Sequence, residues 1–131
     1  MSGDPLSIAD ITDLERFVEA IPALPPPHAD AAPRDRGRAI FESAEAACQT
    51  CHSGSAYTSG ATVDIGTRGG AFQVAVLLGV GYRAPYMHDG CARALREVVR
   101  GDDACRGSAH GRTSHLSDGD IDDLVTYLRS L

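Results

Sequence analysis

The sequence predicts an all-α fold, in which short helices are connected by long loops. One segment near each end of the chain carries apolar residues at the spacing of an amphipathic helix. The segment between them, from Ser53 to Gly90, is rich in glycine and turn-forming residues. A chain of 131 residues has room for one domain with a modest core.

Ser7 to Ile21 forms the first predicted helix. Its large apolar residues share one face: Ile8, Ile11, Leu14, Phe17, Val18 and Ile21. The helix ends at Pro22, and the segment from Pro22 to Pro33 contains five of the seven prolines, which indicates an extended linker. We therefore divide the chain into an N-terminal helix and linker, residues 1–33, and a main domain, residues 34–131.

The first helix resembles the last one. Asp10-Ile-Thr-Asp-Leu14 matches Asp120-Ile-Asp-Asp-Leu124, and Phe17 falls where Tyr127 does. Two amphipathic helices can look alike by chance. The alternative is that residues 1–27 are the closing helix of a preceding, related domain, and the linker directly after the helix favours this interpretation.

Two helices and one ambiguous segment are predicted in the first part of the main domain. The second helix runs from about Asp35 to Ala47, and a short helix runs from Cys91 to Arg100. The apolar run from Phe72 to Val80 fits either a strand or one helical turn, because periodicity does not separate the two over so short a length.

The last helix has the clearest pattern. Ser117 and Asp120 have the spacing of a capping box. The apolar residues that follow share one face: Ile121, Leu124, Val125, Leu128 and Leu131. We therefore expect helices and loops to account for all the secondary structure.

The composition excludes some functions. The net charge is −6 and every basic residue is Arg, so a basic surface for nucleic acid is not expected. No apolar run reaches the roughly 18 residues of a transmembrane helix. The chain has three Phe, four Tyr and no Trp, and a large apolar cofactor would help to fill its core.

Cys48-Gln-Thr-Cys51-His52 has the C-x-x-C-H pattern of covalent haem attachment. Two thiols three positions apart on a helical turn reach the two vinyl groups at one edge of a porphyrin. The next residue then lies under the ring, where its imidazole meets the iron. One motif predicts one covalent haem c, held by Cys48 and Cys51, with His52 as an axial ligand.

Other uses of this motif fit the sequence less well. A zinc site needs a second Cys or His pair at short spacing, and neither Cys91 with Cys105 nor His110 with His115 has the spacing of a zinc finger. A thioredoxin-type dithiol needs a preceding strand and a βαβ pattern, which the sequence lacks.

Two helical segments resemble the cytochromes c. They are Gly37-Arg-Ala-Ile-Phe41, ahead of the attachment motif, and Leu124-Val-Thr-Tyr127 in the last helix. In that family a glycine on the first helix lets the last helix approach closely, and aromatic residues pack beside the crossing. The resemblance covers residues 35–131 and implies a cytochrome c-like fold of helices and loops packed around the haem.

A narrower resemblance lies in the middle of the chain. Four segments are similar to the C-terminal haem domain of the bacterial dihaem peroxidases and the MauG group: Gly66-Thr67, Phe72–Val80, Ala84–Gly90 and Leu95–Val99. In that group the sixth iron ligand is a Met, Tyr or His roughly a dozen residues beyond the His-Asp-Gly. The matching region here, near Asp102, contains none of these residues.

Met87 is the predicted sixth ligand, because it is the one Met besides the first residue and lies among loop residues after His52. The rivals are His88, His110 and His115, or an iron whose sixth position is open. Arg83 is predicted to pair with a haem propionate, against the alternative that it is a solvated surface residue.

Cys91 and Cys105 are predicted to form a disulfide, with free buried thiols as the alternative. The bridge would close a loop of about 15 residues and contribute about 3 kcal/mol in the chain-entropy model. Haem attachment and a disulfide both suit an oxidising compartment, so we expect a periplasmic or other extracytoplasmic location.

Electron transfer is the predicted function, with a redox partner protein or an adjacent haem domain as the partner. The first alternative is the haem half of a peroxidase or MauG-like oxidoreductase, which needs an open iron position. The second is a module whose iron binds a small gas.

Overall fold

The computed structural model describes residues 5–22 and 24–131; residues 1–4 and 23, part of the predicted N-terminal segment, lie outside the described residues. Helices dominate the described chain, as predicted. The α-helices are α1 Ile8–Glu19, α2 Ala31–Glu42, α3 Leu95–Arg100, α4 Asp103–Arg106 and α5 Asp118–Arg129. Short 3₁₀ helices span Cys48–Thr50 and Val80–Tyr82.

Two short strands depart from the all-α prediction. β1, Thr62–Val63, pairs antiparallel with β2, Phe72–Gln73. The ambiguous apolar run therefore begins as a strand, continues as a loop, and reaches a 3₁₀ helix at Val80. Strands of two residues leave no alternating pattern long enough to be recognised in the sequence.

The crossing of α2 and α5 forms the centre of the domain. Gly37 lies at the closest approach, because a Cβ atom there would lie 2.0 Å from the carbonyl oxygen of Asp123. Beside it, the rings of Phe41 and Tyr127 are 5.4 Å apart, and Arg36 binds Asp123 with its Nε 2.5 Å from Oδ2. The glycine and the aromatic pair therefore have the positions that the cytochrome c resemblance implies.

The buried core is small and lies between these helices and the loops before them. Its members are Phe41, Val80, Leu95, Leu116, Ile121, Leu124, Tyr127 and Leu128. The capping box of α5 is confirmed, since the backbone N–H of Asp120 donates to Ser117 Oγ at 3.2 Å and Asp120 accepts from the backbone of Ser117 at 2.9 Å.

Three helix boundaries in the main domain differ from the prediction. α2 begins four residues earlier than expected, at Ala31, because Pro33 falls in its first turn, where a helix needs no N–H donor. It also ends earlier, at Glu42, because Ser43 has an extended backbone. α3 begins at Leu95, since Ala92 is held in a bridge to Tyr86.

The N-terminal helix stands apart from this core. α1 contains no buried residue, although Ser7 and Asp10 form the same kind of capping box as in α5. The linker after it is attached to the domain, because the Tyr82 hydroxyl donates to the carbonyl oxygen of Pro25 at 2.7 Å. Across residues 5–22 and 24–131, no helix combines the length and the apolar character that crossing a bilayer requires.

Candidate haem site

The attachment motif forms a tight turn directly after α2. Ala47 has a left-handed backbone, with φ of 59°, and the 3₁₀ helix starts at Cys48. The amides of Cys51 and His52 donate to the carbonyl of Cys48 at 3.3 and 3.0 Å. Both cysteines are free and half-buried, and burial raises the pKa of the Cys48 thiol. Two thiols and one imidazole are thus presented by a single turn.

His52 is oriented by its own loop. Its Nδ1 lies 3.1 Å from the carbonyl oxygen of Tyr57, and the backbone of Ala75 is a second hydrogen-bond partner of the ring. A metal ion would bind the ring at Nε2. Burial lowers the pKa of His52, because the charged form is poorly solvated there. The neutral imidazole is the form that binds iron.

His110 lies opposite His52. The two ring centroids are 6.4 Å apart and the rings are inclined at 61°. The Nδ1 atom of His110 is buried without a hydrogen-bond partner. The pKa of His110 is lowered to about 4, first by burial and then by the nearby His52 and Arg106, while the backbone of Val98 acts in the opposite direction. His110 is therefore neutral at ordinary pH.

The separation of the two rings fits a shared metal ion. Metal–imidazole bonds of about 2.0–2.1 Å place two ring centroids about 6 Å apart when the rings bind one ion from opposite sides. A separation of 6.4 Å at an inclination of 61° is also ordinary for two rings in edge-to-face contact, so the distance is compatible with a metal ion and does not require one. Together with the free thiols of Cys48 and Cys51, the two imidazoles form a donor set that fits haem c.

A buried polar cluster surrounds His110. In the described part of the chain, three buried side-chain atoms lack a partner: Thr67 Oγ1, Arg106 Nε and His110 Nδ1. The Arg106 side chain is 12% exposed and lies 3.6 Å from Asp103. Its guanidinium also donates to the carbonyl of His110 at 2.5 Å. Gly107 brings Thr67 against this turn, because a Cβ at residue 107 would lie 3.1 Å from Thr67 Cγ2.

In residues 5–22 and 24–131, no group of three or more His, Cys, Asp or Glu side chains is arranged to hold a metal ion. The described site is therefore one motif with two thiols and two facing imidazoles.

Comparison with known proteins identifies the domain. Residues 35–131 match the family described as cytochrome c. This chain belongs to the cytochrome c family. Members of this family carry covalent haem and transfer electrons, so the domain is a haem-based electron-transfer domain in this general sense.

Two further comparisons involve one organism, Kuenenia stuttgartiensis. A stretch of 46 residues is 44% identical to hydrazine synthase subunit gamma, which covers 35% of this cytochrome c chain and 13% of that protein. A structure of hydrazine synthase under xenon pressure matches with a TM-score of 0.81 at 22% identity, over 95% of this chain and 56% of that chain. At that identity the match shows the fold. The chain thus spans a small part of the first relative and about half of the second.

The disulfide predicted in this cytochrome c domain is present. Cys91 and Cys105 are bonded, with Cα atoms 5.8 Å apart. The bridge attaches α4 to the loop that follows Gly90, and α4 ends at Arg106. It therefore restrains the turn that carries the buried guanidinium beside His110.

The other predicted site residues, Met87 and Arg83, make hydrogen bonds with the backbone of their own loops in the cytochrome c domain. Met87 is half-buried, with φ of 69°, and its carbonyl accepts from the Gly90 amide at 3.4 Å. Arg83 is exposed and donates to the carbonyl of Val76. Met87 as a ligand and Arg83 as a propionate partner stay predictions, as does the resemblance to the MauG group.

The other two histidines that were named as rival ligands, His88 and His115, have partners of their own. His88 is exposed and stacks on Phe72 with ring centroids 4.2 Å apart. The Nε2 atom of His115 lies 3.8 Å from Glu45 at the surface.

Sequence reasoning named His110 only as a rival ligand and missed Arg106 and Thr67. A signal for Arg106 was its place directly after Cys105, where a disulfide limits the motion of the chain.

Proposed function

We propose that this domain is an electron carrier with one haem c, bound through Cys48 and Cys51, with His52 and His110 as the two axial ligands. The observation that carries the proposal is the 6.4 Å separation of the two imidazole rings beside the attachment motif. Bound haem supplies one-electron redox chemistry at its iron.

His110 is preferred to Met87 on two grounds. Its ring lies 6.4 Å from the ring of His52, and Arg106 holds its backbone carbonyl. The resemblance to the dihaem peroxidases predicts a sixth ligand near Asp102, which precedes His110 in the sequence. In this chain α4 and its disulfide lie between Asp102 and His110.

The chain's own residues fix both imidazoles. The Tyr57 carbonyl holds Nδ1 of His52, and Arg106 ties the backbone of His110 to Thr113, whose hydroxyl lies 3.4 Å from the same guanidinium. Two imidazole ligands give a lower potential than a His–Met pair, because the thioether favours Fe(II). Electron transfer then requires no ligand bond to break.

Arg106 and Thr67 are the proposed partners of a haem carboxylate. Both have a buried atom that can donate a hydrogen bond and lacks an acceptor. A carboxylate supplies the kind of acceptor that each donor lacks, whereas a buried donor left unpaired costs about 1–3 kcal/mol. This role replaces the one predicted for Arg83, whose guanidinium is bound to its own loop.

If His110 occupies the sixth iron position, as we propose, the two alternative functions, peroxidase chemistry and gas binding, are disfavoured. A peroxidase or MauG-like half and a gas-binding module both need an iron position that a small molecule reaches. His110 occupies that side of the site in our proposal. A redox partner protein or an adjacent haem domain is the proposed partner, and the similarity to a hydrazine synthase subunit supports a setting of several subunits.

We also propose an extracytoplasmic location. The Cys91–Cys105 disulfide supports it, because disulfides form and persist in oxidising compartments. A net charge of −6 favours a partner surface that is basic or neutral.

The experiment compares the visible spectra and carbon monoxide binding of matured His110→Ala and Met87→Ala variants. We expect His110→Ala to become high-spin when oxidised and to bind carbon monoxide when reduced. Met87→Ala should retain the low-spin spectrum. His88→Ala is the matched control, since that ring is exposed and stacked on Phe72.

The opposite pattern would replace the assignment. Loss of a far-red sulfur–iron band in Met87→Ala, with an unchanged His110→Ala spectrum, would identify Met87 as the ligand. A His110→Met variant separates ligand loss from misfolding, because a bound thioether keeps the iron low-spin and raises the potential.

A further inference from the structure

Tyr57 connects the haem-attachment loop with the crossing of α2 and α5. Two backbone groups contact the His52 ring, those of Tyr57 and Ala75, and the Tyr57 carbonyl oxygen lies 3.1 Å from Nδ1. When Nε2 of a histidine binds a metal ion, Nδ1 carries the proton and donates it to its partner. The position of the Tyr57 carbonyl therefore orients the His52 ring.

The backbone of Tyr57 is strained at this point. Its φ of 53° lies in the left-handed region, which is unfavourable for a residue with a large side chain. Such a conformation persists where the surrounding contacts hold it. Two backbone bonds close the turn: the Tyr57 amide donates to the Gly54 carbonyl at 3.2 Å, and the Thr58 amide donates to the Ser53 carbonyl at 2.9 Å.

The side chain of Tyr57 fastens this turn to the helix crossing. Its ring packs edge-to-face on Phe41, with ring centroids 5.9 Å apart. Its hydroxyl accepts a hydrogen bond at 3.3 Å from the hydroxyl of Tyr127, a buried residue of α5. Burial, and then the bond to Tyr57, raise the pKa of Tyr127, so its hydroxyl stays protonated and remains a donor.

We infer that Tyr57 is a positioning residue of the haem site, and that its bond with the Tyr127 hydroxyl holds the carbonyl that orients His52. The inference rests on the proposed function only in making His52 an axial ligand of haem c. Through these two tyrosines, the crossing of α2 and α5 controls the orientation of an imidazole that lies in a loop.

This control has a consequence for the redox potential. A hydrogen bond from Nδ1 to a carbonyl makes the imidazole a stronger electron donor, which favours Fe(III). If the Tyr57 carbonyl is held less firmly, the bond from His52 weakens and Fe(II) is favoured. Loss of the Tyr57–Tyr127 bond should therefore raise the potential.

The test uses matured, haem-bearing Tyr57→Phe and Tyr127→Phe variants, each of which loses one hydroxyl and keeps its ring. We expect both variants to have a higher potential in a redox titration than the unmodified domain. In the reduced protein, nuclear magnetic resonance should show that the His52 Nδ1 proton exchanges faster with solvent. The double variant should shift no further than the larger single shift, because both changes remove the same bond.

Tyr86→Phe is the matched control. Tyr86 is half-buried beside the same core, and its hydroxyl donates to the Val80 carbonyl at 3.1 Å. This variant also loses one tyrosine hydroxyl bond, so its stability to denaturant should fall by a similar amount. Its potential and the exchange of the His52 proton should stay those of the unmodified domain.

Three results would overturn the inference. They are an unchanged potential and exchange rate in both Tyr57→Phe and Tyr127→Phe, equal shifts in Tyr86→Phe, and additive shifts in the double variant. A fall in stability alone would show that the two tyrosines have only a structural role, and it would overturn the inference in the same way.

Failure of the proposed function gives a different pattern. An unmodified protein without covalent haem would contradict the proposed function itself. A haem ligated by His52 and Met87 would contradict the assignment of His110, whereas the expected shifts in Tyr57→Phe and Tyr127→Phe would still support this inference, because they act through His52.

Discussion

At the scale of single residues, the chemistry that we propose for the domain rests on two histidines and one arginine. His52 could be assigned from its place in the C-x-x-C-H motif, because the spacing itself places an imidazole under the porphyrin. His110 could not be singled out in this way, since its role depends on a chain fold that brings it 6.4 Å from His52. Its burial and its neighbour Arg106 are properties of the tertiary structure.

Arg106 is expected to affect both stability and redox potential. Replacing it by Gln removes a charged donor from the His110 carbonyl and should destabilise the domain by about 1–3 kcal/mol. It should also lower the potential, because a buried cation beside the haem favours Fe(II) over Fe(III). Urea unfolding and a redox titration measure the two effects.

Arg83→Gln is the control for that change. Its guanidinium is exposed and bound to a loop carbonyl, so the potential should stay close to that of the unmodified domain. Equal shifts in the two variants would contradict a special role for Arg106.

At the scale of elements, the contact of α2 with α5 determines whether the domain folds. The cytochrome c resemblance located this contact at Gly37 and at the aromatic residues beside it. The strand β1 and the early start of α2 were not predicted, because a two-residue strand and a proline in a first turn have little signature in a sequence. β2 lies in the run from Phe72 to Val80, for which a strand and a helical turn were both left open.

Gly37→Ala tests the close approach. The added Cβ would lie 2.0 Å from the Asp123 carbonyl oxygen, so the helices must separate. We expect a loss of about 1–3 kcal/mol or more in the free energy of unfolding. Denaturant unfolding followed by the haem spectrum measures this loss.

Gly119→Ala is the matched control within α5. The nearest atom to its added Cβ is Ser117 Oγ at 3.7 Å, which is ordinary contact. Because Ala is favoured over Gly in a helix by about 0.5–1 kcal/mol, this variant should be neutral or slightly stabilising. Similar destabilisation in both variants would show that the crossing is looser than described.

The capping box of α5 predicts a pH effect. Hydrogen bonds from the Ser117 side chain, and then from its backbone, lower the pKa of Asp120 below its ordinary 3.8. A carboxylate whose pKa is lowered by folding stabilises the folded protein at pH values above its ordinary pKa. That stabilisation is lost as the pH falls through the folded-state pKa. Ser117→Ala should cost about 1 kcal/mol near neutral pH and weaken this acid dependence.

Ser7→Ala provides the comparison, because Ser7 and Asp10 form the same box in α1. No residue of α1 is buried against the domain, so unfolding of the haem domain should be unaffected. A loss in Ser7→Ala equal to that in Ser117→Ala would mean that α1 is part of the same cooperative unit.

At the scale of the whole molecule, the polypeptide core is thin, and the attachment motif lies at its edge, with Cys48 packed against the buried cluster. In the described part of the chain, eight residues make up the buried hydrophobic cluster, and the largest fully buried side chains there are Phe41, Ile121 and Leu124. The low aromatic content had already indicated that a cofactor would be needed to fill the centre. The disulfide between Cys91 and Cys105 adds a covalent restraint to the loops on the His110 side.

The central claim is that one haem c lies between His52 and His110. Its most direct test is mass spectrometry of the matured 131-residue protein, combined with electron paramagnetic resonance of the oxidised form. We expect the mass of the polypeptide plus one covalent haem, and the low-spin signal of an iron with two imidazole ligands. The bare polypeptide mass, or a haem-bearing protein with a high-spin or sulfur-ligated signal, would contradict this account.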